Sequence, residues 1–136
     1  MTDRLLSGKR ILLLGSNERA ALSVCRSLGR QGAIVEIVAF DPVRQPAEMS
    51  RYCRRRFYFG SPVTDAIKVL DRLTAHLAEN DYDAIFPITD MACELVYAGD
   101  ATIASRFVIV GPDPKAYHKA VDKSEALKLA RRVGLH

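Results

Sequence analysis

The chain contains no tryptophan and has three cysteines, Cys25, Cys53 and Cys93, among its 136 residues. The cysteines are odd in number, lie far apart in the sequence and form no C-x-x-C pair. These features exclude a disulfide framework and argue against a zinc site, in which cysteines are closely paired. The sequence therefore predicts reduced, buried thiols in a cytoplasmic protein, with no metal ion held by this chain.

The chain also lacks a long hydrophobic run. No apolar stretch approaches the roughly 20 residues of a membrane-spanning helix, and the N-terminal sequence MTDRLLSGKR contains no signal-peptide core. With 49% hydrophobic and 26% charged residues, the composition is ordinary for a soluble α/β domain. We therefore expect no membrane partner.

The chain has only a small excess of positive charge: 20 lysines and arginines and 16 aspartates and glutamates give a net charge of +4. One dense basic patch consists of Arg51, Arg54, Arg55 and Arg56. We interpret this patch first as the solvated rim of a loop and second as a contact for an anion or another subunit. Nucleic-acid binders usually carry a basic stripe with interleaved aromatic residues, so a nucleic-acid partner is not expected. The sequence leaves the formation of a homo-oligomer open.

What the chain does contain is organised around one stretch near the N-terminus, RILLLGSNERAALSVCRSL. Residues 11–14 are a continuous apolar run, which is typical of a strand covered on both faces. Gly15 allows a sharp turn out of this strand. Ser16 or Asn17 is expected to cap a helix that begins at once, with Glu18 in its first turn. The free N–H groups at such a helix N-terminus suit an anion.

Further along the chain, short apolar segments alternate with helical patterns. The predicted strands are residues 11–14, 33–40, 57–59, 83–88 and 107–110. The predicted helices after the first are residues 65–79, 91–98, 115–120 and 123–133. This alternation indicates right-handed βαβ crossovers. The predicted fold class is α/β, a Rossmann-like, doubly wound parallel sheet of about five strands in the order 3-2-1-4-5 with helices on both faces.

Sheets of this kind bind ligands beyond the carboxyl ends of their strands, where the strand order reverses. In the order 3-2-1-4-5, the resulting crevice lies between strands 1 and 4, and two loops would face each other across it. The first loop contains Ser16, Asn17, Glu18 and Arg19, and the second contains Thr89 and Asp90. We predict that these residues bind substrate, although a helix cap alone would also explain Asp90.

Several catalytic and cofactor patterns are absent. The turn GSNERA has Asn17 and Ala20 where a G-x-G-x-x-G dinucleotide fingerprint requires glycine, and no Walker sequence occurs. Asp41 lies further along the chain than the acidic residue of that fingerprint. Neither His76 nor His118 has a partner at metal-ligand spacing. We therefore assign no catalytic residue to this chain.

Four stretches, taken together and in order, resemble the N-terminal part of an ATP-grasp enzyme. They are RILLLGSNERAALSVCRSLGRQGAIVEIVAFD, SRYCRRRFYFGSP, YDAIFPITD and FVIVGPDPKAYHKAVDKSEALKLARRVGL. The chain is similar in particular to the carbamoyl-phosphate synthase large subunit, in which a Rossmann-like pre-ATP-grasp domain precedes a nucleotide-binding domain. The first helix of that second domain carries a D-K…A…G pattern. The matching residues here are Asp122, Lys123, Ala130 and Gly134.

The resemblance implies a pre-ATP-grasp domain at residues 1–120 and the start of an ATP-grasp domain at residues 121–136. It implies that the whole protein uses ATP and Mg²⁺ to turn a small carboxylate substrate into an acylphosphate, which an amine or similar nucleophile attacks. Lys123 would contact an ATP phosphate as a point charge. Family members continue beyond this point, so we expect a fragment whose partner is a C-terminal ATP-grasp region and which is inactive alone.

One alternative stays open, because the Gly15 turn opens a helix. The chain could be a stand-alone Rossmann-like module that binds a nucleotide or dinucleotide, or that has a regulatory role. Tight dinucleotide binding by the isolated chain would favour this alternative, whereas weak or absent nucleotide binding fits a ligase fragment.

Overall fold

The computed structural model describes residues 3–98 and 101–134. Its strands are β1 (Arg10–Leu14), β2 (Ile34–Ala39), β3 (Cys53–Tyr58) and β4 (Ala84–Pro87). Its helices are α1 (Arg19–Arg30), α2 (Pro62–Glu79), α3 (Asp90–Ala98), α4 (Ala101–Arg106), α5 (Pro114–Val121) and α6 (Lys123–Arg132), with one turn of 3₁₀ helix at Pro46–Met49. Among the described residues, no helix is long and apolar enough to span a membrane.

The strands form a parallel sheet in the order β3-β2-β1-β4. In the register of this sheet, Leu14 at the end of β1 pairs with Val38 on one side and with Pro87 on the other. The apolar runs thus form buried central strands, because both of their faces are covered. The α/β fold class and the order of the first four strands are confirmed.

A fifth strand at residues 107–110 is not confirmed, since that segment pairs with β4 through one bridge, Ile85 to Ile109. The Ile85 amide donates to the Val108 carbonyl (2.8 Å), and the Val110 amide donates back to Ile85 (2.9 Å). The next bond of a parallel ladder would need an N–H at Pro87, which proline lacks. The ladder therefore stops after one bridge.

Apolar residues cover both faces of the sheet. On one face, alternate strand residues such as Leu12 and Leu14 pack against Leu73 of α2 and Val96 of α3. On the other face, the intervening residues pack against α1 and the 3₁₀ turn. The members of this second cluster are Ile11, Leu13, Ala21, Cys25, Val35, Ile37 and Ala47. The prediction of helices on both faces is confirmed.

The strand β3 begins four residues earlier than the sequence predicted, at Cys53 instead of Phe57. Arg54, Arg55 and Arg56 therefore lie on a strand, and their interpretation as a loop rim is wrong. Because β3 is the edge of the sheet, charged side chains on it can reach solvent and also discourage pairing with other chains. The prediction missed the first residues of β3 because three consecutive arginines interrupt the apolar pattern that is typical of a strand.

The start of α1 also differs from the prediction. The helix begins at Arg19, with Glu18 at the N-cap position in an extended conformation and without a side-chain capping bond. Ser16 and Asn17 are therefore not the cap. At α3 the capping side chain is that of Thr89 rather than Asp90, since the Ala92 amide donates to Thr89 Oγ1 (3.1 Å). Helix α4 was not predicted, because six residues are too short for a periodic pattern.

The closing segment contains the two predicted helical pieces. Helix α5 ends at Val121, and Asp122 caps α6 by accepting the amides of Ser124 (2.8 Å) and Glu125 (3.3 Å). Helix α6 contacts α5 and buries none of its residues. The division into residues 1–120 and 121–136 stays a prediction, and residues 1, 2, 99, 100, 135 and 136 of those ranges lie outside the described residues.

The three cysteines are free thiols, with Cys25 and Cys93 buried and Cys53 half-buried. Burial raises the pKa of each thiol, and for Cys53 it raises the pKa to about 11. Because the thiolate is the reactive form, these cysteines are structural.

Candidate functional site

The carboxyl ends of β1 and β4 lie side by side, because the two strands are neighbours in the sheet. The Gly15 amide extends the β1–β2 ladder by donating to the Val38 carbonyl (2.9 Å). Gly15 then turns the chain with a φ of +88°, a conformation that glycine adopts readily. A Cβ built on Gly15 would lie 3.0 Å from Thr89 Cγ2. The two loops predicted to face each other therefore meet at the point where the strand order reverses.

Four of the predicted site residues are exposed around this junction. Asn17, Glu18 and Arg19 lead into α1, and Asp90 is the first residue of α3. Because no side chain caps α1, amide groups of its first turn stay free to bind water or a ligand. The arrangement offers exposed groups of both charges beside a helix N-terminus. That these residues bind substrate stays a prediction.

Ser16 occupies a different place from its neighbours. Its side chain is buried, and its hydroxyl donates to the Glu48 carboxylate beneath the loop. Ser16 therefore attaches the loop to the interior of the protein, while the three residues after it are exposed. Thr89 is half-buried and is engaged in capping α3.

Glu48 and Arg56 also belong to this part of the molecule; Arg56 was predicted only as part of the basic patch, and Glu48 was not predicted. Glu48 lies in the 3₁₀ turn, and its carboxylate also pairs with the Arg56 guanidinium of β3. Arg56 donates further to the carbonyls of Asp41 (2.8 Å) and Pro42 (3.2 Å). One feature of the sequence indicates this ion pair: Glu48 is an isolated acidic residue eight positions before Arg56 of the basic patch.

A contact from the closing segment reaches the second loop. Tyr117 of α5 is buried against α3 and donates from its hydroxyl to the Asp90 carbonyl (3.2 Å). Burial, with Glu94 nearby, raises the pKa of Tyr117 to about 12, so the hydroxyl keeps its proton near neutral pH. Lys123 is exposed in the first turn of α6, one element further along. The ATP role of Lys123 stays a prediction.

An apolar groove of about 310 Å³ opens on the face of the sheet that carries α2 and α3. Its walls include Ile67 and Leu70 of α2 together with Met91 and Leu95 of α3. Met91 directly follows Asp90, so the groove begins next to the second loop. Its lining contains one charged residue, Glu94.

A second buried carboxylate, that of Glu36, belongs to a network at the amino ends of the strands, opposite the crevice. Glu36 of β2 accepts hydrogen bonds from the Tyr82 hydroxyl and from Arg10 Nη2 (3.3 Å). His76 Nε2 lies 2.7 Å from the Tyr82 hydroxyl. Because Arg10 begins β1 and Tyr82 precedes β4, this network is at the amino ends of the strands, away from the candidate crevice.

Comparison with known proteins identifies solved structures that share this fold. No protein-family model and no curated protein matches the chain. Among solved structures, it is similar to glycinamide-RNase-transformylase T from Mycobacterium tuberculosis, with a TM-score of 0.63 and 25% identity. It is also similar to L-amino acid ligase from Bacillus licheniformis (TM-score 0.69, 13% identity). A third is N5-carboxyaminoimidazole synthetase from Staphylococcus aureus complexed with ADP (TM-score 0.66, 14% identity).

These matches cover 90%, 96% and 97% of this chain, in the same order. The chain spans about a third of the length of each of those structures, 34%, 31% and 32%. The matching structures are ATP-grasp enzymes, and the matched region is their N-terminal domain. This chain therefore has the fold of the N-terminal, pre-ATP-grasp domain of ATP-grasp enzymes, as the sequence resemblance implied.

Proposed function

We propose that this chain is the N-terminal domain of an ATP-grasp ligase similar to the carbamoyl-phosphate synthase large subunit. In the whole protein, ATP would convert a carboxylate into an acylphosphate, which an amine or a similar nucleophile then attacks. The observation that carries the proposal is the junction of Gly15 and Thr89 at the carboxyl edge of the sheet, in a fold shared with ATP-grasp enzymes. Such a junction is where sheets of this type bind their ligands.

The role of this domain would be to bind substrate. Asn17, Glu18 and Arg19 present an amide, a carboxylate and a guanidinium beside the uncapped start of α1, and Asp90 adds a second carboxylate. A guanidinium suits a carboxylate substrate because it offers a planar pair of donors. The two acidic side chains suit an amine. Ser16 would contribute by holding the loop.

The groups for phosphoryl transfer would come largely from sequence that follows this chain. Lys123 is exposed at the N-terminus of α6 and fits a role in holding an ATP phosphate. The described residues contain no cluster of acidic, histidine or cysteine side chains that fits Mg²⁺. Ligands for that ion would lie in the C-terminal region. We therefore expect no turnover by the chain alone.

Turnover by the full-length protein tests the activity. We expect release of ADP and phosphate that depends on both Mg²⁺ and a carboxylate substrate. The variant Arg19→Ala should raise the KM for the carboxylate, and Arg26→Ala is the matched control because it lies on the exposed side of the same helix. If no carboxylate or amine in a broad panel supports ADP release, the proposed activity is wrong.

Calorimetry on the 136-residue chain tests the alternative of a stand-alone binding module. The ligands are NAD, NADP and ATP, each titrated into the isolated chain. We expect weak or undetectable heat for all three, because most of the ATP site would be missing. Tight dinucleotide binding by the chain would support the stand-alone module instead.

A further inference from the structure

Glu48 is a carboxylate with no access to solvent, since its side chain is 0% exposed. One of its oxygens accepts from the Ser16 hydroxyl, and the other pairs with Arg56 Nε. A buried carboxylate is costly unless it is paired and hydrogen-bonded. Both conditions are met here. Because losing either bond would be costly, the buried carboxylate holds Ser16 and Arg56 in place.

The partners of Glu48 belong to separate segments at the carboxyl edge of the sheet. Ser16 lies between β1 and α1, and Arg56 lies on β3. Arg56 also holds the turn after β2 through the carbonyls of Asp41 and Pro42. One carboxylate thus connects the first crevice loop to β3 and, through Arg56, to the turn after β2.

The first crevice loop has few other restraints. Gly15 enters it through a left-handed turn, and the helix that follows has no side-chain cap. Asn17, Glu18 and Arg19 are exposed. Among the side chains of residues 16–19, Ser16 is the buried one. The bond from Ser16 to Glu48 is therefore the anchor that sets where the exposed residues stand.

We propose that Glu48 is a positioning residue for the crevice, acting through Ser16 to hold the loop of Asn17, Glu18 and Arg19 in a binding-ready conformation. This inference rests on the proposed function, in which that loop contacts the carboxylate substrate. Glu48 itself touches no ligand. Its contribution is to reduce the ordering that the loop must undergo when substrate binds.

The chain offers a matched control for this inference. Glu36 is also a buried carboxylate paired with an arginine, and it also accepts from one hydroxyl, that of Tyr82. It lies at the amino edge of the sheet. Ser16→Ala and Tyr82→Phe each remove one hydroxyl from one such pair and leave the arginine in place. A general loss of stability would affect both variants, whereas a positioning role affects the crevice loop in one of them.

The first measurement is backbone ¹⁵N relaxation of the chain without ligand. In the unmodified chain, we expect order parameters of about 0.85 at Asn17, Glu18 and Arg19, as for rigid backbone. Ser16→Ala should lower them to about 0.6 or less, the range of flexible loops, and Tyr82→Phe should leave them unchanged. Glu48→Gln should act like Ser16→Ala if it folds. Unchanged order parameters in Ser16→Ala would overturn the inference.

The second measurement separates this inference from the proposed function. In the full-length enzyme, Ser16→Ala should raise the KM for the carboxylate by about tenfold, equivalent to about 1.4 kcal/mol, with kcat and the KM for ATP unchanged. A looser loop with an unchanged carboxylate KM overturns the positioning role and leaves the ligase intact. Absence of any turnover in the unmodified enzyme overturns the ligase, while the relaxation result still decides whether Glu48 orders the loop.

Discussion

The side chain of Tyr52 lies so close to Gly29 that a Cβ built on Gly29 would be 2.4 Å from Tyr52 Cγ. Gly29 is in the last turn of α1, and Tyr52 directly precedes β3. The absence of a side chain at Gly29 therefore lets α1 pack against the start of the edge strand. Tyr52 is held at its other end by a hydrogen bond from Arg51 Nη2 (2.8 Å).

Gly29→Ala should destabilise the protein, although alanine is the better helix former. Alanine gains about 1 kcal/mol of helix propensity, whereas overpacking costs about 1–3 kcal/mol. The clash involves the base of the Tyr52 side chain, so the ring cannot relieve it by rotating. Urea denaturation should show a net loss of up to about 2 kcal/mol. In a Tyr52→Ala background, the same change should become neutral or stabilising, and a persistent loss there would disprove the packing explanation.

The turn at Gly15 predicts a second substitution effect. Gly15→Ala forces an L-residue to a φ of +88° and brings its Cβ within 3.0 Å of Thr89. The backbone strain alone should cost about 1–3 kcal/mol of unfolding free energy. Gly8→Ala is the control, because Gly8 has a φ of +75° and its Cβ would meet nothing within 4 Å. Both variants should lose stability, but Gly15→Ala should lose more, and equal losses would contradict the close contact with Thr89.

The fold could be predicted from the sequence wherever a local pattern determines the structure. The apolar run of β1 followed by Gly15 predicted a buried strand and a turn, and the structure has both. The position of the crevice followed from the strand order, because parallel strands end at one edge of the sheet. The order of four strands was predicted correctly because alternating strands and helices indicate the right-handed crossovers of a doubly wound sheet.

What the sequence did not reveal depends on contacts between distant residues. Glu48 is 32 positions from Ser16 in the chain, so nothing in the sequence near Glu48 indicates its bond to that hydroxyl. The early start of β3 was missed because an edge strand does not need a fully apolar pattern. The fifth strand was overpredicted, since its apolar residues did not indicate that Pro87 on the neighbouring strand would stop the ladder.

The basic patch should divide into residues with different energetic roles. Arg56 is paired with the buried Glu48, whereas Arg54 is exposed on the same strand. Arg56→Ala would leave a buried carboxylate without its cation, at a cost of about 3–5 kcal/mol of unfolding free energy. Arg54→Ala should change stability by less than about 0.5 kcal/mol. Denaturant titration of both variants checks this, and similar values would show that the pair with Glu48 is not stabilising.

The environment of His76 predicts how stability depends on pH. His76 is half-buried on α2, and the ring of Phe57 lies 4.4 Å from it, centroid to centroid. Burial lowers the pKa of His76 below its usual 6.5, and nearby Arg10 and Arg55 act in the same direction. The opposing charges are Glu36 and Glu79, whose effects are smaller than burial.

The same histidine has a partner on each ring nitrogen. Asn80 Nδ2 lies 3.4 Å from His76 Nδ1 and also donates to the His76 carbonyl (2.9 Å). If Asn80 donates to Nδ1, then Nε2 carries the proton and donates to the Tyr82 hydroxyl, which donates in turn to Glu36. In this series of hydrogen bonds, a neutral imidazole accepts at Nδ1 and donates from Nε2, so both of its ring nitrogens have a partner. A second proton, on Nδ1, would face the amide donor of Asn80.

Stability should therefore fall as the pH drops below 6.5. In that range the unfolded chain binds a proton at His76 before the folded protein does, so acid favours unfolding. The loss should begin near pH 6.5, continue down to the lowered folded-state pKa, and have a slope of at most about 1.4 kcal/mol per pH unit. Urea denaturation between pH 7.5 and 5 measures it. His76→Gln should reduce the slope in this window, whereas the control His118→Gln, at an exposed position on α5, should not. An unchanged slope in His76→Gln would show that another group governs the acid response.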